Sequence, residues 1–327
     1  MARTTLFTPV RIGAITLKHR VVMPPLSRLR AQWPSGAPSD LNLEYYSQRA
    51  SDGGLIFTEA TAISATGRGY RGAPGIYSDE QVAGWKRVTD AVHAKGGSMF
   101  VQLWHAGRTT HIATTGEEPV TASVDPTYWA DPEMLVVTPD GFSQLSKRTD
   151  RYGGSIENRA RLLFEAAEAL ISVWGADRVG VRLAPSGNFN GMADSDPRTL
   201  FRYVAERLND LKLAYLHIIE PRIKGGDLIA KGMGPVAAQE LGQIFKGPII
   251  AAGGFEPDTA EVAVANGVAS LIAFGRQFIA NPDLPKRIKL GLPLNRYDRS
   301  TFYGFDARGY TDYPTYEEVE ADQAEVA

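Results

Sequence analysis

A single TIM-type (β/α)8 barrel is the fold that this sequence predicts. Short apolar, β-branched runs recur along the chain, and each is followed by a stretch with helical periodicity. The runs are apolar throughout rather than alternating, as in parallel strands covered by helices on both faces. At 327 residues the chain suits one large barrel better than two ordinary domains.

The strands are expected to begin near Val21, Leu55, Met99, Val179, Tyr215, Pro248 and Ser270. Between them, the stretch from Gln81 to His93 puts Val82, Trp85 and Val88 on one helical face. The stretch from Glu157 to Val173 carries Leu162, Leu163, Ala166, Ala167 and Leu170. A third helix, from Arg198 to Asn209, opens behind a cap at Asp196 with Pro197 in its first turn. The spacing contains one anomaly. Starts at 21, 55 and 99 lie 34 and 44 residues apart, yet the next interval is 80 residues and holds one helix where two units would fit. From His105 to Asp150 the text is polar and broken by Pro119, Pro126, Pro132 and Pro139, with only a weak strand at Met134–Val137. Seven barrel strands are therefore expected, one α–β unit short of eight. Residues 1–327 read as one domain, 105–150 as an irregular surface segment, and the acidic tail 317–327 as frayed.

Composition closes off several function classes. The formal charge is -2 and the pI about 6.2, with no basic or acidic block, so neither a nucleic-acid nor a membrane partner is expected. With no cysteine there is no disulfide, zinc–thiolate site, iron–sulfur cluster or thiol nucleophile. The five histidines form no ligand pair, and no Gly-x-Ser-x-Gly occurs, so neither a metal site nor a serine hydrolase is supported. The N-terminus lacks an apolar signal core and no apolar run reaches about 18 residues, which leads to the expectation of a cytoplasmic protein.

Barrels keep their chemistry at the C-terminal ends of the strands. Gly253-Gly254 and Gly275-Arg276 follow the last two strands. Glycine lets backbone N–H groups approach an anion there, and Arg276 adds a charge, which makes a phosphate site. Tight turns beside a solvated arginine are the alternative. Arg182 lies within an apolar strand, where burial would demand an anionic partner; a structural ion pair with Glu59 or Glu220 is an equal reading. Gln102 and Trp104 share a strand face by period two. An amide beside an aromatic wall suits a planar heterocycle, although Trp104 alone reads as core. His105 reads as structural, and His93 and His217 as ordinary helix and strand residues.

The same residues resemble the Old Yellow Enzyme family of FMN-dependent ene-reductases, in the style of its bacterial N-ethylmaleimide and nitrate-ester reductases. Leu6-Phe7-Thr8-Pro9, the run from Arg20 to Arg28 and the run from Glu44 to Ser51 are similar to its opening. Gln102-Leu103-Trp104-His105-Ala106-Gly107-Arg108 is similar to its third strand, and the run from Arg148 to Arg159 is the most distinctive match. Phe274-Gly275-Arg276, the run Asn281-Pro282-Asp283-Leu284-Pro285 and that from Gly309 to Pro314 complete the likeness. The resemblance implies FMN as cofactor and NADPH or NADH as hydride donor. It implies ping-pong reduction of small activated alkenes: α,β-unsaturated carbonyls, maleimides and nitroalkenes. Pro25, Leu26 and Ser27 would meet the flavin edge, Ala60 and Gln102 its pyrimidine ring, and Arg182 the N1/O2 side. Gly253, Gly254, Gly275 and Arg276 would cradle the phosphate, while Tyr70, Trp104 and Tyr303 would shape the substrate pocket.

One part of the family pattern has no counterpart. Members carry a His-x-x-Asn or His-x-x-His pair at the end of the fourth strand, which binds the substrate's activating oxygen, and commonly a Tyr two residues beyond. Here Thr138–Gln144 resembles the segment before the third helix, and Leu145–Asp150 that after the fourth strand. The third helix and fourth strand are missing, which is the unit whose absence the 80-residue interval shows. Flavin binding should survive this loss and ene-reduction should weaken. Altered flavin chemistry (nitro or nitrate-ester reduction, isomerisation) and an inert flavin-binding barrel stay open as alternatives. Monomer and homodimer are both compatible, and an uncovered strand edge offers a route to association.

Overall fold

The structure is a computed structural model that describes residues 3–107, 109–118, 150–187, 194–224, 227–228 and 236–326. The weak strand expected at Met134–Val137 lies outside them. Contacts between Cα positions divide the chain into two compact units.

The unit containing residues 21–122 and 274–327 is built on three parallel strands, Val21–Met23, Leu55–Ala62 and Ser98–Trp104, with Leu55–Ala62 in the middle. The register of the last pair shifts at a bulge between Phe57 and Ala60, beyond which Ala60 faces Gln102 and Ala62 faces Trp104. Helix Asp40–Arg49 starts at a reciprocal cap: the Ser39 hydroxyl accepts from the Asn42 N–H, and the Asn42 side chain accepts from the Ser39 N–H. Helix Asp79–Ala94 repeats the device with Ser78 and Gln81 and buries Trp85, Val88 and Val92. Val82 is 50% exposed, so it lies off the face that the sequence assigned to it.

The other unit, containing residues 8–20 and 123–273, has an antiparallel hairpin, Val10–Ile12 with Ile15–Leu17, and four parallel strands. Their order is Gly180–Leu183, Tyr215–Ile219, Ile249–Ala252, Leu271–Ala273. All seven parallel strands thus start within one residue of their expected positions. Helix Pro197–Asp210 carries the expected cap, with Asp196 accepting from the Thr199 N–H and Pro197 in the first turn.

Three expectations need correction. Helix Ile156–Trp174 buries Ala160, Phe164 and Ala167, whereas Leu162 is 62% exposed and Trp174 is 51% exposed. Apolar periodicity marks which residues want cover, but cover also needs a packed neighbour. The strand Ser98–Trp104 behaves likewise: none of its residues is buried, although seven of the eight in Leu55–Ala62 are. The tail, expected to fray, forms helix Tyr316–Val326. The Thr315 N–H and hydroxyl both donate to Glu318, the Tyr316 N–H donates to Asp283, and Glu317 pairs with Lys286. Carboxylates in its first turn suit the positive end of the helix, so an acidic sequence is here a helix-starting signal.

Candidate functional site

In the first unit, the turn after Val21–Met23 carries Pro25, Leu26 and Ser27, all half-buried. The backbone beyond it is clamped. Arg28 and Leu29 N–H groups donate to Glu59 Oε2 at 3.0 and 3.1 Å, and the Arg28 guanidinium donates to the carbonyls of Phe302 (2.8 Å) and Gly309 (2.7 Å) and to the Tyr45 hydroxyl (3.1 Å). Arg30 donates to the Thr301, Phe302, Asp306 and Arg308 carbonyls. Arg49 lies 3.7 Å from the centre of the Tyr45 ring, which stacks on Tyr310 at 4.0 Å. Burial raises the Glu59 carboxyl above its ordinary range, against the pull of the Arg28 and Leu29 N–H groups and of the neighbouring arginines. This network fixes the 25–30 turn against the segment that carries Tyr303.

Ala60 and Gln102 are direct register partners, so these two expected ring contacts sit side by side. The Gln102 N–H donates to the Thr58 hydroxyl, whereas the Gln102 amide and the Ser27 hydroxyl make no hydrogen bond among the described residues. Gly275 opens helix Gly275–Ala280, and a Cβ there would lie 3.4 Å from Leu26 Cδ2, so the expected phosphate glycine adjoins the flavin-edge turn. Arg276 is half-buried 5.6 Å from the Tyr297 ring centre and has no ion pair among the described residues.

The three expected pocket residues also converge. The Tyr70 and Trp104 rings lie 5.8 Å apart at 26°, and a Cβ at Gly69 would strike the Trp104 ring at 1.9 Å, so glycine is required for that stack. Burial, and secondarily the charge of Tyr303, raises the Tyr70 pKa above 10.0, which keeps its phenol protonated near neutrality. Tyr303 is 64% exposed.

In the second unit, Arg182 and Gly253 lie at the same end of the sheet. Arg182 is level with His217, and Ala252, just before Gly253, is level with Ile219. Gly253 has φ +125° and Gly254 φ +64°; a Cβ at Gly253 would lie 2.9 Å from Ile223 Cγ1. The backbone there is open only to glycine. Arg222 Nε caps the Gly253 carbonyl at 2.7 Å.

Arg182 differs from expectation. Its side chain is exposed between buried Val181 and Leu183, because alternation turns it to the opposite face. Neither suggested carboxylate pairs with it. Glu59 serves the 28–29 backbone, and Glu220 accepts from the Ala238 N–H at 3.0 Å. Arg182 has no hydrogen bond or ion pair among the described residues, yet the surrounding protein removes enough hydration to lower its pKa to about 10, with Tyr215 pulling the other way. His217 is wholly buried; desolvation, then Arg182, holds its pKa well below 6.5, so the imidazole is neutral.

These groups fit FMN. In the first unit the unengaged Gln102 amide and Ser27 hydroxyl suit a heteroaromatic ring and Gly275-Arg276 a phosphate; in the second, the Arg182 cation, with no ion pair among the described residues, suits an anionic group. Sequence reasoning alone did not find the Arg28–Glu59–Tyr310 network. Its only signal was that Arg28, Tyr45, Arg49 and Tyr310 fall inside the resembling runs.

Comparison with known proteins gives the family. The NADH:flavin oxidoreductase / NADH oxidase family matches residues 5–144 and 142–295, and the chain belongs to it. It is 40% identical over 368 positions to 12-oxophytodienoate reductase 1 of Oryza sativa subsp. japonica, with 98% of this chain and 95% of that protein covered. It is 40% identical over 379 positions to the flavin oxidoreductase hxnT of Emericella nidulans, with 94% and 97% covered. Among solved structures, morphinone reductase matches with a TM-score of 0.81 at 39% identity, over 96% of this chain and 97% of that one. A morphinone reductase variant in complex with tetrahydroNAD matches with a TM-score of 0.82 at 38% identity, over 95% and 97%. The chain is therefore an FMN-dependent NAD(P)H oxidoreductase of the Old Yellow Enzyme type. The family match breaks in two at 142–144, where the sequence places the lost unit. An alignment of 368 positions with a chain of 327 residues leaves at least 41 positions without a residue here. No helix among the described residues is long and apolar enough to cross a membrane.

Proposed function

We propose that this chain is a cytoplasmic, single-domain ene-reductase for small activated alkenes, with oxygen-polarising power reduced by the missing unit. Pro25, Leu26 and Ser27 would hold the flavin edge, Ala60 and Gln102 its pyrimidine ring, and Arg182 its N1/O2 side. Gly253, Gly254, Gly275 and Arg276 would hold its phosphate. When bound, FMN would supply hydride transfer between NADPH or NADH and the activated alkene.

The residues of the chain orient, exclude water and donate hydrogen bonds. Arg182 would supply a positive charge to the ring system, and this guanidinium, without a hydrogen bond or ion pair among the described residues, is the observation that carries the proposal. The Tyr70–Trp104 stack makes an apolar wall that aligns a planar alkene and excludes water. With its pKa raised, Tyr70 stays a neutral donor for the activating oxygen. No His-x-x-Asn pair reinforces that bond, so turnover of weakly polarised enones should suffer most. Relatives named as reductases and a flavin oxidoreductase favour this reading over altered chemistry or an inert barrel.

The test is an anaerobic titration of the purified chain. NADPH or NADH should bleach a bound flavin spectrum, and N-ethylmaleimide should restore it faster than cyclohexenone. Absence of bound flavin, or recovery only on admitting oxygen, would overturn the proposal.

A further inference from the structure

Beside the Tyr70–Trp104 wall, three segments are rich in arginine, and two of those arginines, Arg68 and Arg71, meet no carboxylate among the described residues. Residues 28–38, 63–75 and 301–309 hold five arginines and one aspartate. Arg28 and Arg30 are buried and donate to carbonyl and hydroxyl oxygens. Arg68 and Arg71 are different. Their guanidinium carbons lie 4.8 and 5.9 Å from the centre of one indole, that of Trp33, and Arg71 lies 4.9 Å from the centre of the Phe305 ring. Arg68 gives one bond, to the Pro34 carbonyl at 2.8 Å, and its Nε and second terminal nitrogen are buried without a hydrogen-bond partner. Arg71 is exposed and makes no hydrogen bond or ion pair among the described residues. Trp33 is 40% and Phe305 61% exposed.

Two guanidinium groups on one aromatic ring repel each other, and the ring faces offset only part of that cost. An anion brought to Arg71 would relieve it, and the flanking rings would shield that pair from water. The position connects this feature to the reaction: Arg71 follows Tyr70 in the chain, and Phe305 lies two residues past Tyr303.

We infer that Arg71, set between Trp33 and Phe305, is an anion-binding rim that selects ligands carrying a carboxylate or phosphate remote from the reacting carbons. The inference rests on the ene-reductase reading of the adjoining pocket. The same chemistry has two sources, an acidic group on the alkene and the phosphates of the nicotinamide dinucleotide.

The holoenzyme and its Arg71→Gln and Arg71→Lys variants are assayed with 4-(3-oxobut-1-enyl)benzoate and its methyl ester, a pair that differs in a charge set across an aromatic ring from the reacting carbons. In parallel, equilibrium dialysis measures binding of the saturated acid, 4-(3-oxobutyl)benzoate, so that binding is read without turnover. Arg71→Gln is expected to raise KM for the acid and Kd for its saturated form at least ten-fold, with the ester within two-fold and Arg71→Lys close to the parent. If the Kd for NADPH or NADH rises ten-fold and the acid is unaffected, the rim stands and its occupant is a dinucleotide phosphate. Equal effects on acid and ester, or no effect on acid and dinucleotide, overturn the inference. Arg71-dependent binding of the saturated acid by a chain that fails to reduce the alkene would refute the ene-reductase reading and leave the rim intact.

Discussion

Arg28, in the segment beyond one strand, and Arg182, within another, present the same side chain, and the protein treats them in opposite ways. Arg28 is 1% exposed, with its guanidinium bound to Phe302, Gly309 and Tyr45. Arg182 is exposed and has no hydrogen-bond partner among the described residues, while the protein around it still lowers its pKa to about 10. A buried cation saturated by carbonyls is scaffold. A partly dehydrated cation with no counter-charge is set for a ligand that brings one. The contrast separates the machinery that holds the site from the groups that meet the cofactor.

Substitutions should sharpen that separation. The largest effect is expected for Arg28→Ala, which strands the Gly309 carbonyl and removes one of the two arginines beside Glu59. Urea unfolding of the flavin-free chain should show a loss of about 3–5 kcal/mol. A loss below about 1 kcal/mol would mean that the network is decorative.

Next comes Arg276→Gln, which should weaken FMN binding by about ten-fold at low salt and by less at high salt, without moving the unfolding midpoint. Riboflavin, which lacks the phosphate, should bind parent and variant alike. An equal loss for riboflavin would remove Arg276 from the phosphate site.

His217 gives a pH signature. Its pKa in the fold is depressed well below 6.5, so the unfolded chain binds its proton more readily. Its contribution to stability is complete above about pH 6.5 and is lost as pH falls toward the folded value, by up to about 1.4 kcal/mol per unit. Between pH 7.5 and 5, His217→Gln should therefore show a flatter acid limb in urea unfolding than the parent. Parallel limbs would show that the imidazole is not held neutral. The smallest effect belongs to Leu162→Lys, since that side chain is 62% exposed; stability should change by less than about 0.5 kcal/mol.

What was legible in the sequence follows from what makes each signal local. Strand positions were readable because continuous apolar runs depend only on the residues themselves, and all seven parallel strands start where expected. The cap at Asp196 was readable for the same reason. Burial of the Ser98–Trp104 strand was not, because it depends on a neighbour, and no residue there reaches the burial of Leu55–Ala62. The lost unit was visible as a spacing, and the family match breaks where the text predicted. Within the site, strand-end glycines and Arg276 could be argued from pattern. The exposed placement of Arg182 and the buried Arg28–Glu59–Tyr310 cluster could not. Charged loop residues read as surface until their partners, far away in the chain, are known.

The most direct test is a fluorescence titration of FMN into the flavin-free chain and into Arg182→Gln, alongside their urea unfolding midpoints. The account predicts FMN affinity reduced at least ten-fold in the variant, with the midpoint of the flavin-free protein unchanged within about 0.5 kcal/mol. Unaltered affinity, or a flavin-free fold that collapses with the substitution, would contradict the assignment of Arg182 to the cofactor.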